Sequence, residues 1–175
     1  MQPSIVCEVD DSTESWAAAV VAVHLGRVLD RRLVLAHVVD PPPALLYPDV
    51  RERQQRRQRA IEEGFELLDD VAAGLPDAVG QRAVVLGTAA AGLPALCREE
   101  GAGLLVIGSR RRGRLAAAVA GNATARLASK ARCPVVAVPP HVTDRIVAGE
   151  HSRWPLAGHA GNDVETRPRP ARQAA

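Results

Sequence analysis

The chain has 175 residues, of which 47% are hydrophobic and only 2% aromatic, and its formal net charge is +2. This length and composition favour one domain with an aliphatic core, and the near-balance of acids and bases argues against a dedicated nucleic-acid binder. No apolar run approaches the roughly 20 residues that span a bilayer. Three widely spaced cysteines fit a reducing compartment, so we expect a cytoplasmic protein that does not enter membranes.

The first part of the chain alternates between strand and helix. Residues 5–9 predict a short strand, and Asp11 with Glu14 three positions later forms a capping box that starts a helix. Residues 33–39 are apolar nearly throughout, as a strand covered on both faces should be. They also contain His37, which we interpret as a core histidine with a hydrogen-bond partner.

A long helix is predicted after the three consecutive prolines, because Ile61, Phe65, Leu68 and Ala72 share one helical face. Its first half is rich in arginine, and we interpret that run as a solvated face. The alternation then continues to Pro140, with strands at about 82–86, 103–107 and 134–138 and helices ending at Gly101 and beginning near Gly121.

This order predicts an α/β fold with a single open, doubly wound sheet of five mostly parallel strands. After Pro140 the periodicity fails, and prolines and arginines are frequent. We therefore predict a domain over residues 1–140 and a disordered tail over residues 141–175.

The carboxyl ends of the strands are where such sheets bind ligands. Gly108 ends the fourth strand, a basic loop follows, and Gly121 opens the next helix. This arrangement of strand, loop and helix N-terminus is typical of phosphate sites. Asp10, after the first strand, is a candidate acceptor for a ribose hydroxyl or an adenine amine.

Motifs of several enzyme classes are absent from the sequence. The chain has no G-x-x-x-x-G-K-[ST] loop, no G-x-S-x-G elbow and no H-E-x-x-H pair. Cys7 and Cys133 fall in apolar strands, where burial opposes a nucleophilic role. The sequence therefore favours a binding module over an enzyme, with at most slow nucleotide hydrolysis, and predicts no metal site of its own.

Several segments, taken in order, resemble the universal stress protein family over about residues 3–140. They are Asp10-x-Ser12, the strand Ala36-His37-Val38-Val39-Asp40, Gly87-Thr88, the strand and loop Leu104-Leu105-Val106-Ile107-Gly108-Ser109-Arg110, and Ala131-Arg132-Cys133-Pro134 with the strand that follows. The resemblance implies a sheet of order 3-2-1-4-5, of the adenine-nucleotide α-hydrolase type, and a homodimer through the last strand, Val135–Val138.

The resemblance also implies that some members hold ATP, with Mg, through a motif of spaced glycines. Gly108 and Gly121 match its first and third glycines, whereas Arg111 replaces the second and Asn122 replaces a hydroxyl residue. By the same resemblance, residues that would surround an adenine nucleotide are Val9, Asp10, Val38, Ile107, Gly108, Arg110, Arg111, Gly121, Asn122, Ala123 and Thr124.

Two alternatives stay open at this point. In the first, Arg111 and Asn122 have disabled the site, and the chain is a dimeric interaction module that binds no nucleotide. In the second, Arg110–Arg114 bind a polyanion weakly, together with the arginines of the long helix. Neither basic cluster has interleaved aromatic residues for base stacking, so a nucleic-acid partner is not favoured.

Overall fold

The structure is a computed structural model that describes residues 3–41, 46, 49–75, 79–109 and 126–147. None of the helices in these ranges is long and apolar enough to cross a membrane. The elements are β1 (Ser4–Glu8), α1 (Thr13–Leu29), β2 (Leu33–Val39), α2 (Val50–Ala73), β3 (Val79–Leu86), α3 (Ala89–Glu99), β4 (Ala102–Gly108), α4 (126–130), β5 (Val135–Val138) and α5 (Pro140–Val147).

The five strands form one parallel sheet of order β3-β2-β1-β4-β5. This confirms the predicted fold class and strand order. The strand β1 pairs with β2 on one side and with β4 on the other. The chain order therefore reverses between β1 and β4, and this point is the topological switch of the sheet.

Helices cover both faces of the sheet, which explains why its central strands are mostly apolar. Along β2, Leu33 and Leu35 face a core that also contains residues of α1, α2 and α5. Val34 and Ala36 face the opposite core, which contains residues of α3 and α4. All four side chains are essentially inaccessible to solvent.

The start of α1 corrects the predicted capping box. Ser12, rather than Asp11, is the N-cap, and its hydroxyl accepts a hydrogen bond from the backbone N–H of Ser15 at 3.2 Å. The helix consequently begins at Thr13. The reason lies one residue earlier, because the carboxylate of Asp10 accepts from the backbone N–H of Ser12 and holds Ser12 in the capping position.

The long helix α2 contacts the sheet through a narrower face than its periodicity indicates. Gly64 and Leu68 are buried, whereas Phe65, which we placed on the same face, is 41% exposed. A Cβ at residue 64 would lie 3.1 Å from Cδ2 of His37. Glycine therefore lets α2 approach β2 closely at this point.

The segment after Pro140, which we expected to be tail, begins with helix α5. Thr143 and Ile146 are each 5% exposed, and Ile146 packs in the same core as α1. The packed part of the chain thus extends beyond residue 140. The residues that follow Val147 lie outside the described ranges.

A polar cluster joins four elements at the amino edge of the sheet. The guanidinium of Arg32 contacts the carboxylate of Glu100 at 2.6 Å, and Gln81 donates to the same carboxylate at 3.0 Å. The hydroxyl of Ser4 donates to the backbone carbonyl of Glu100 at 3.0 Å. This cluster lies at the opposite edge from the candidate ligand site, so we interpret it as structural.

Candidate functional site

The topological switch between β1 and β4 lies at the carboxyl edge of the sheet, where open α/β sheets bind ligands. The residues that follow β1 and end β4, Asp10 and Gly108, meet there with the first turn of α1. Val38, near the end of β2, is half-buried and lies on the α3 side of the sheet. The structure therefore brings together the three strand ends that the sequence singled out.

Gly108 packs directly against the first turn of α1. A Cβ at residue 108 would lie 2.6 Å from the carbonyl carbon of Glu14 and 2.9 Å from the backbone nitrogen of Ser15. Real Cβ atoms do not approach backbone so closely, so this position requires glycine for packing alone. The contact also fixes the N-terminus of α1 beside the end of β4.

A hydrogen-bond network orders the loop between β1 and α1. The Asp10 carboxylate accepts from both the backbone N–H, at 2.9 Å, and the hydroxyl of Ser12. The hydroxyl of Ser15, which is 2% exposed, donates to the backbone carbonyl of Asp10 at 2.7 Å. Asp10 therefore has a structural task, and its carboxylate is held in one orientation at the edge of the sheet.

Ser12 and Ser15 were not among the predicted site residues, although they complete this network. The signal that could have found them is the spacing Asp-x-Ser-x-x-Ser. A carboxylate two residues before a hydroxyl closes an Asx turn, and the hydroxyl then caps the helix three residues later.

Val9 lies at the end of β1 with its side chain fully buried in the α1–α2 core. Its backbone N–H donates to Ala36 at 2.8 Å, and its carbonyl is 2.7 Å from Nδ1 of His37. Because a carbonyl only accepts, His37 carries a proton on Nδ1. His37 thus has the hydrogen-bond partner expected of a core histidine, and it ties β2 to the end of β1.

The end of β4 is fixed by side-chain packing and by a backbone hydrogen bond to β5. Ile107 is 6% exposed and belongs to the α3–α4 core, and the backbone N–H of Ser109 donates to Val138 of β5 at 3.0 Å. The remaining residues of the predicted site lie outside the described part of the chain. They are Arg110, Arg111, Gly121, Asn122, Ala123 and Thr124.

Burial keeps two of the cysteines as neutral thiols. Burial raises the pKa of Cys7, which lies in the middle of β1. Burial, and then the neighbouring Cys133, raise the pKa of Cys97 to about 12. Thiolates at these two positions are suppressed at neutral pH. Among the residues with described structure, no group of three or more histidine, cysteine or acidic side chains is arranged to hold a metal ion.

The family model for universal stress proteins matches residues 1–139. This chain belongs to the universal stress protein family. The match includes the loop between β1 and α1, the carboxyl ends of β1 and β4, and strand β5. A search of curated protein sequences returned no significant match.

Solved structures of the family share this fold. A universal stress protein family member from Burkholderia pseudomallei is 29% identical and has a TM-score of 0.59, and the match covers 77% of this chain and 94% of the other. A universal stress protein in complex with cAMP is 20% identical, with a TM-score of 0.53 and coverage of 78% and 97%. The Archaeoglobus fulgidus universal stress protein in complex with dAMP is 17% identical, with a TM-score of 0.53 and coverage of 79% and 98%.

Proposed function

We propose that this universal stress protein binds an adenine nucleotide at the carboxyl ends of β1, β2 and β4. The observation that carries the proposal is the switch point itself, where Asp10 and Gly108 adjoin the N-terminus of α1. Ligands of open α/β sheets lie in such crevices. The relatives solved with cAMP and with dAMP support this class of ligand.

The adenosine end of the proposed site involves Val9, Asp10 and Val38, whereas Ile107 belongs to the phosphate end. Since the side chain of Val9 is in the core and its N–H donates to Ala36, we assign it a role through its carbonyl, which can accept a second hydrogen bond besides that from His37. The Asp10 carboxylate is already fixed by Ser12, so it can accept a further hydrogen bond without loss of side-chain entropy. That bond would come from a ribose hydroxyl or from the adenine amine.

The phosphate end involves Gly108, Gly121 and the loop between them. Backbone N–H groups at the start of a helix bind phosphate well, and we assign this role to Asn122, Ala123 and Thr124. Arg110 and Arg111 would add guanidinium groups, which pair with phosphate in a bidentate manner. ATP with Mg is the ligand that we propose for this set of groups.

Arg111 decides between the proposal and its principal alternative. Thermal unfolding of the purified protein with and without Mg-ATP, for wild type, Arg111→Gly and Arg111→Ala, separates the roles of this side chain. If Arg111 clamps phosphate, both variants lose the shift; if it fills the pocket, both gain affinity. The exposed Arg98→Ala on α3 is the matched control. No shift in any variant at millimolar Mg-ATP would contradict the nucleotide proposal.

A second candidate function is a dimeric interaction module without a nucleotide. The observation that favours it is the packing of Gly108 against Glu14, which would preserve this glycine even after the site had lost its ligand. The edge strand β5 offers Val135–Val138 for pairing with a second copy. Sedimentation of a variant with Val136→Lys on β5 tests that pairing, and unchanged self-association would exclude it.

We assign binding rather than catalysis to the site, with hydrolysis at most slow. The described thiols, Cys7, Cys97 and Cys133, are free, as expected in a reducing compartment, and we propose a cytoplasmic location. Incubation with Mg-ATP followed by chromatography of the nucleotide measures turnover directly. Fast, multiple-turnover release of ADP would contradict the assignment.

A further inference from the structure

The charges of α2 are separated along its length. Five arginines lie in its first ten residues, and five acids lie in the remainder with no basic residue until Arg82 of β3. The arginines are Arg51, Arg53, Arg56, Arg57 and Arg59, and the acids are Glu62, Glu63, Glu66, Asp69 and Asp70. Half of this helix is therefore basic and half is acidic.

This order conflicts with the helix macrodipole at the C-terminal end of α2. The macrodipole favours acids in the first turn and bases in the last. The N-cap Asp49 and Glu52 meet the first preference, but the last turn has no basic residue and Asp70 lies near the end. Salt bridges within α2 do not account for it, since the described i,i+4 pair, Glu52–Arg56 at 2.9 Å, lies wholly in the first half. In the second half, Asp69 contacts Arg82 at 2.7 Å.

The separated charges lie on the outer face of the helix. Gly64 and Leu68 mark the face that contacts the sheet, and at 100° per residue the opposite side is reached by Arg51, Arg59, Glu62, Glu66 and Asp70. All five are exposed. We call these five residues the outer face of α2.

We propose that the outer face of α2 binds the same face of a second copy of this chain, with the two helices antiparallel. A two-fold axis between residues 60 and 61 places Arg59 level with Glu62 of the second copy and Arg51 level with Asp70 of the second copy. Because the axis repeats each pair, four pairs of opposite charge form in one isologous contact. A parallel arrangement would oppose like charges along the whole helix.

This pairing explains the order of charges that the single helix disfavours. Residues that break a local rule commonly serve a function that lies outside the element itself. Mixed charges on α2 would provide solubility equally well. Only the separation of basic and acidic halves makes the helix complementary to its own antiparallel copy.

The proposed contact is weak and sensitive to salt. Exposed ion pairs contribute little each and are screened within about 10 Å at 0.1 M ionic strength. The proposed contact is also separate from β5, because α2 covers β2 and β3, and these strands lie at the edge of the sheet opposite to β5. The two contacts can coexist, and neither requires a bound nucleotide.

Charge reversal tests the proposal. We would measure the mass by sedimentation velocity at low and high salt for wild type, for Arg51→Glu/Arg59→Glu and for Glu62→Arg/Asp70→Arg. We expect the mean mass of the wild type to be higher at low salt than at high salt and to rise with protein concentration at low salt, and each double variant to lose this difference. An equimolar mixture of the two variants should regain it, because each paired position then carries an acid in one variant and a base in the other.

Two further variants serve as a positive and a negative control. The variant with all four reversals exchanges the charges at the four paired positions of the outer face, so it should self-associate like wild type. The control, Arg98→Glu/Glu99→Arg, changes exposed charges on α3 and should leave the salt dependence unaltered. Failure of the mixture to associate would overturn the proposal. So would loss of self-association in the arginine variant alone, because the arginines would then contact an acidic surface of the second copy other than the outer face of α2.

Discussion

Gly108 at the end of β4 and Glu14 in the first turn of α1 are in backbone contact. A Cβ at residue 108 would lie 2.7 Å from the carbonyl oxygen of Glu14. One glycine therefore serves the packing of the domain at the same place where the family resemblance assigns it a role beside phosphate. Because packing alone requires glycine here, we expect Gly108 in a member of this fold whether or not it binds a nucleotide.

Replacement of Gly108 by alanine should destabilise the protein, since the methyl group forces β4 and α1 apart. We expect a loss of about 1–3 kcal/mol, as for an overpacked core, measured by urea denaturation. Gly80→Ala is the control, because a Cβ there meets its nearest neighbour at an ordinary 3.4 Å. Equal stability of the two variants would show that the contact relaxes freely.

Removal of the cap of α1 should also be measurable. Ser12→Ala deletes the acceptor of the Ser15 N–H and the hydroxyl that donates to Asp10, at a cost of about 1 kcal/mol. Asp11→Ala removes the carboxylate that the sequence pattern had favoured as the cap. If urea denaturation shows a larger loss for Asp11→Ala than for Ser12→Ala, the assignment of the cap is wrong.

The amino-edge cluster should contribute to stability without affecting ligand binding. In Glu100→Gln, Arg32 loses its carboxylate partner while the backbone contact with Ser4 persists. Because the side chain of Arg32 is 37% exposed, we expect a loss of only about 1 kcal/mol. The thermal shift with Mg-ATP should match that of wild type, and a changed shift would mean that the two edges are coupled.

Alkaline pH should weaken the fold through Cys97. Its pKa rises from 9.0 to about 12 in the folded protein, so folding favours the neutral thiol. This contribution is complete below pH 9 and is lost as the pH rises toward 12. Cys97→Ala should reduce the fall in stability between pH 8 and pH 10, and an unchanged slope would contradict the assignment. Native Cys97 should also react slowly with iodoacetamide at pH 8.

The strands could be predicted from the sequence because each contains a short apolar run bounded by glycine, proline or polar residues. Their order in the sheet came from the family resemblance. Helix α5 was missed for a physical reason. The periodicity of the sequence fails after Pro140, but proline is favoured in the first turn of a helix, and Val142 and Ile146 supply the apolar face of α5. Two apolar residues four positions apart are too few to establish a helical periodicity from the sequence.

The site was predictable in position but not in its contacts. The ends of β1 and β4 could be placed together from topology alone. The hydrogen bond between Asp10 and Ser12 and the contact between Gly108 and Glu14 both depend on how α1 packs against the sheet. No local sequence pattern specifies that packing. The sequence therefore pointed to Ser12 only as part of the family motif, did not indicate Ser15, and assigned the capping role of Ser12 to Asp11.

Nucleotide binding at the switch point can be measured by amide chemical shifts during a titration with Mg-ATP. We expect the amide signals of Asp10, Ser12, Val38 and Ser109 to shift together and saturate, while those of Arg32 and Glu100 at the amino edge stay in place. Absence of any shift at the carboxyl edge with millimolar Mg-ATP would contradict nucleotide binding at the switch point.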